Sequence, residues 1–137
     1  MTTEDQHEIV RLRRHLADAK ANLDEAAWML KRAEAHTLLG HVEVPVTDAD
    51  GHTVVTQDWK TLGPTETAQR HGAQLVLEQD FVYLTARSDL REAELEVALA
   101  EARIEAWTDS RRRERENLQR ETNIALLQAA GLVEVGP

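Results

Sequence analysis

The sequence predicts a mainly α-helical fold: a long antiparallel helical hairpin, coiled-coil-like with an alanine-rich seam. A small β-hairpin is expected at its tip, with a C-terminal helix and a short strand after it. Three observations carry that expectation. Apolar residues recur at alternating spacings of three and four through two long stretches, the heptad signature of packed helices. Between those stretches the period changes to two around a turn sequence. The composition, 42% hydrophobic but only 4% aromatic and 30% charged, suits long helices better than a globular α/β enzyme. At 137 residues the chain is expected to be one elongated domain, 1–137.

The first helix is expected over 3–38. Thr3 and Gln6 fit a capping box, and Glu4 and Asp5 suit the positive end of the helix dipole. Its apolar positions are Ile9, Leu12, Leu16, Ala19, Leu23, Ala26, Leu30 and Ala33. Large residues alternate with alanine, so two such helices can approach closely at the small layers while the large ones fill the space between. Gly40 stands where a helix C-cap is expected.

Residues 41–57 read as a β-hairpin. Val42, Val44 and Val46 alternate with other residues, "DADG" supplies turn chemistry and "TVVT" resumes a β-prone run. Pro45 confines its strand to an edge. Pro64 suits the first position of a second helix, expected over 64–107. One of its heptad rows holds Val76, Tyr83, Leu90, Val97 and Ile104; the other holds Gly72, Gln79, Ala86, Ala93, Ala100 and Trp107. Gly72 either interrupts this helix or lets its seam close tightly. Residues 108–130 continue the second helix or fold back as another, with Gly131 as a stop and 132–135 as a short strand.

A two-helix seam leaves large residues over. Leu77, Phe81, Leu84 and Leu95 form a second stripe, and Trp28 and Met29 lie off the first seam. Exposed together they would make an apolar patch unusual for a monomer. The favoured expectation is a homo-oligomer or partner interface, because two helices bury little alone; the alternative is cover supplied within the chain.

The candidates for chemistry are sparse. Asp48, Asp50 and His52 are metal-ligand types, but a calcium loop needs further ligands and a closing Glu, and Asp and Gly are what a tight turn demands. Glu4 and His7 share the spacing of di-iron bundles without the second copy such sites need. There is no cysteine, no zinc-protease helix motif and no phosphate-binding glycine loop. Ser88 and Ser110 sit in charged helical surroundings rather than in a nucleophile elbow. No enzymatic activity, cofactor, metal or small-molecule substrate is therefore expected.

The net charge of −9 disfavours a nucleic-acid coat. The one basic cluster, Arg111, Arg112, Arg113 and Arg115, is interleaved with Glu114, Glu116 and Glu121. It is a candidate nucleic-acid contact set against self-pairing, with Arg112 and Glu116 four residues apart. Trp59 and Trp107 are expected as packing anchors. The polar start "MTTEDQHE" does not read as a signal peptide, and no apolar run reaches membrane-span length.

The expected role is a non-enzymatic structural or assembly module that pairs with itself or with other subunits. The runner-up is an accessory factor in nucleic-acid transactions. In composition and shape the chain is similar to small helical accessory proteins of bacteriophages and GC-rich bacteria. The polar start and the lack of a membrane-length run lead to the expectation of a cytoplasmic location, and the likeness adds a place in a virion if the chain is phage-encoded.

Overall fold

Polar groups at the chain start nucleate α1 (Thr3–Val42). The Asp5 amide donates to the Thr2 hydroxyl and the Thr2 amide donates to the Asp5 carboxylate, both at 3.1 Å. This reciprocal cap uses Thr2 and Asp5, not the expected Thr3 and Gln6, because a carboxylate accepts more strongly than an amide oxygen. Gly40 does not end the helix. Nothing lies within 4 Å of where its Cβ would be, and α1 runs on to Val42, where the β-period begins. The structure, a computed structural model, describes residues 2–131. It is mainly helical, with a small two-stranded antiparallel sheet and three α-helices.

The chain divides into two compact units: Asp18–Val97, and Met1–Ala17 with Ala98–Pro137. In the first, fully buried Val42 joins α1 to the hairpin of β1 (Glu43–Thr47) and β2 (Thr53–Gln57). Pro45 stands opposite Val55, and Val46 opposite Val54. The Asp58 amide donates to the Val42 carbonyl at 2.8 Å and closes the hairpin base. At the tip, the Asp48 carboxylate accepts from the Asp50 and His52 amides at 3.0 and 2.8 Å. Gly51 takes a φ of +81° there, a conformation that most side chains resist.

A 3₁₀ turn (Trp59–Thr61) leads to α2 (Glu66–Glu78), capped by the Thr65 hydroxyl, which accepts from the Ala68 amide at 3.2 Å. Pro64 therefore precedes the cap instead of opening the helix. Gly72 sits inside α2, and a Cβ on it would collide with the Leu62 carbonyl. It serves a close approach, but to the incoming loop rather than to a helical seam.

The expected continuous helix over 64–107 is interrupted at Gln79 and Asp80. The Asp80 amide closes α2 on the Leu77 carbonyl at 3.0 Å, and its carboxylate accepts from the Tyr83 amide at 2.8 Å. Asp80 thus starts α3 (Phe81–Ala129). Gly72, Val76 and Gln79 fall outside that helix, and only the later members of the two predicted rows share it.

α3 continues without a break through the Arg-rich segment, so 108–130 neither folds back nor begins anew. The Thr108 hydroxyl turns inward to the Ile104 carbonyl at 2.9 Å instead of capping a new helix. Gly131, at φ +71°, adopts the left-handed conformation typical of a helix stop. The strand expected at 132–135 lies outside the described residues.

Burial follows the heptads on each helix. On α1 the covered or half-covered positions include Ile9, Leu12, Leu16, Ala19, Leu23, Ala26, Leu30 and Ala33; on α3 they include Tyr83, Ala86, Leu90, Ala93, Val97, Ala100, Ile104 and Trp107. Among the described residues no helix is long and apolar enough to cross a membrane.

Candidate functional site

Within the Asp18–Val97 unit, α1 and α3 flank a groove of about 600 Å³. Its floor includes Ala26 and Ala33 from α1 and Ala86 and Ala93 from α3, small side chains that leave room where leucines would fill it. Met29, Phe81 and Val82 line it as well. Glu25, Asp89, Glu92 and Glu96 also line it, and no lysine or arginine does among the described residues. The result is an apolar trough with an acidic rim. Sequence reasoning missed that rim, although Asp89, Glu92 and Glu96 stand three, four and seven residues apart and so share one helix face.

The predicted interface residues separate into two groups. Phe81 is 81% exposed, Leu95 59%, Trp28 58% and Met29 45%. Of these, the structure brings Met29 and Phe81 together at the groove. Leu84 is half-buried, and Leu77 is only 4% exposed. Leu77 is unavailable to a partner because it belongs to α2, which ends before the helix that carries the other three. Arg32 stacks over the Trp28 ring at 5.4 Å, so that indole contributes a cation–π face as well as area. Trp59, 43% exposed, lies at a shallow depression with Leu38 and Leu39.

The basic cluster lies in the other unit. Arg111 pairs with Asp5 at 2.5 Å and Glu114 at 3.0 Å, and lies over the Trp107 ring at 5.4 Å. Arg112 pairs with Asp109 at 3.2 Å, not with the expected Glu116. Arg113 and Arg115 are exposed and have no ion pair among the described residues. The Asp5 pKa is lowered, first by its hydrogen bond from the Thr2 amide, then by the Thr2 hydroxyl and Arg111, with desolvation working against them. The Trp107 indole nitrogen and Arg111 Nε are buried without a hydrogen-bond partner among the described residues.

Asp48, Asp50 and His52 are exposed and place ligand-type atoms within 4.8 Å of one another. The Asp48 carboxylate already holds two turn amides, which is the role that turn chemistry assigns it. Glu4 and His7 line a shallow surface depression with Glu8 and Arg11. No family model, no curated protein and no solved structure matches this chain.

Proposed function

We propose that this chain is a non-enzymatic structural or assembly module that associates through the apolar residues left outside its own packing. The observation that carries this reading is the exposure of Trp28, Met29, Phe81 and Leu95. Fully covering an exposed large apolar side chain contributes up to about 1.5–3 kcal/mol, and Met29 and Phe81 meet at the groove, where exposed apolar surface marks an interaction site. The same reading takes α1 and α3 as the antiparallel arms of a helical hairpin with an alanine seam. The heptad period of covered positions on each helix supports it, as does the meeting of Ala26, Ala33, Ala86 and Ala93 at one groove.

The self-paired state of Arg111 and Arg112 favours assembly over nucleic-acid binding, because both guanidinium groups already hold carboxylates of their own chain. The test is the solution mass of the wild type and of a Phe81→Asp/Leu95→Asp variant at several concentrations. Association in the wild type and a monomeric, still helical variant are expected. A wild type that is monomeric throughout overturns the reading.

A further inference from the structure

We propose that the C-terminal stretch of α3 from one copy docks antiparallel in the acidic-rimmed groove of a second copy. The inference rests on the assembly reading above and names the segment that fills the groove. Arg113, Arg120, Ile124 and Leu127 follow one another at spacings of seven, four and three residues, which keep them on one helix face. All four are exposed. Among the described residues neither arginine has an ion pair.

The groove holds the complementary series in reverse. Asp89 and Glu96 are seven residues apart, as are Arg120 and Arg113. Val82 precedes Asp89 by the same seven residues that separate Leu127 from Arg120. Each series therefore spans about 21 Å of helix. Laid antiparallel, Arg113 meets Glu96, Arg120 meets Asp89, and Ile124 and Leu127 reach the apolar end formed by Met29, Phe81 and Val82. The arginines supply the charge that the rim lacks on its own chain. A second copy is the occupant because both halves are carried by this one sequence, matched in length and spacing and, at Arg113 and Arg120, opposite in sign, with Glu116 beside Glu92 the one like-charged approach.

The test is sedimentation equilibrium on the full chain. Arg113→Glu/Arg120→Glu and Asp89→Arg/Glu96→Arg are each expected to weaken self-association roughly tenfold or more, with helicity retained. An equimolar mixture of the two variants is expected to associate again, because each restores the other's missing sign. Should a reversal unfold the chain, the neutral pairs Arg113→Gln/Arg120→Gln and Asp89→Asn/Glu96→Gln are each expected to weaken association alone, and their mixture to regain the one contact in which the unchanged arginines meet the unchanged carboxylates. Unchanged association in either variant, or no rescue in the mixture, overturns the docking. If Phe81→Asp/Leu95→Asp still dissociates the protein in that case, the assembly reading survives with another occupant; a monomeric wild type removes both.

Discussion

A single methyl group separates the two instructive glycines of this chain. At Gly40 there is open space around the missing Cβ; at Gly72 the Leu62 carbonyl occupies it. Both lie inside helices, where alanine is favoured by up to about 1 kcal/mol. Gly40→Ala should therefore stabilise the fold by roughly that amount. Gly72→Ala should destabilise it by about 1–3 kcal/mol, since the Leu62 backbone must retreat. Chemical denaturation of the two variants checks both signs. Asp5 offers a pH readout at the same scale. Its folded pKa lies below its ordinary value, so its stabilisation is present above the unfolded pKa and is lost as pH falls through the folded one. The melting-temperature gap between wild type and Asp5→Ala should accordingly be widest near neutral pH and shrink in strong acid. A gap independent of pH would show that the charged form is not what stabilises.

At the scale of elements, the interruption between α2 and α3 depends on one carboxylate. Removing such a cap costs about 0.5–2 kcal/mol. Asp80→Ala should lower the denaturation midpoint accordingly, while Asp80→Asn, which keeps an acceptor, should lower it less. The same residue explains what the sequence concealed. A lone Asp between two heptad-compatible stretches carries no Gly or Pro to announce a stop, so within 64–107 the sequence offers a break at Gly72 and none at Gln79 and Asp80. Leu77 was assigned to the exposed stripe for that reason and proved buried. The hairpin was legible because the period change, the "DADG" turn and the bounding Asp and Gly all agreed. α1 starts at the expected Thr3, with its cap one residue earlier at Thr2, whereas α2 starts at Glu66 instead of Pro64, because adjacent Thr and Pro positions offer competing caps. The continuity of α3 is not legible in the sequence, because its Arg-rich stretch has no apolar period to read.

For the whole molecule, the outward residues matter more than the interior. Hiding Phe81 and Leu95 together contributes at most about 3–6 kcal/mol before the costs of association, and each 1.4 kcal/mol that is lost raises the dissociation constant about tenfold. The double Asp substitution should therefore abolish association at ordinary working concentrations. Its signature is a mass that no longer rises with concentration. The candidate interface was only partly visible beforehand: hydrophobic residues off the seam could be listed from periodicity. Three carboxylates of the rim share one face of α3 by spacing alone, whereas Glu25 joins them only where α1 meets that face at the groove.

The smallest interior side chains have a consequence for how this sequence can change. Ala19 and Ala100 are 3% and 1% exposed, and where a methyl group fills its space there is no larger rotamer to retreat into. Drift at those positions has one direction open to it, toward glycine. The long solvated faces can meanwhile exchange their lettering freely, so diverged descendants would be recognised by a sparse column of alanines rather than by overall likeness.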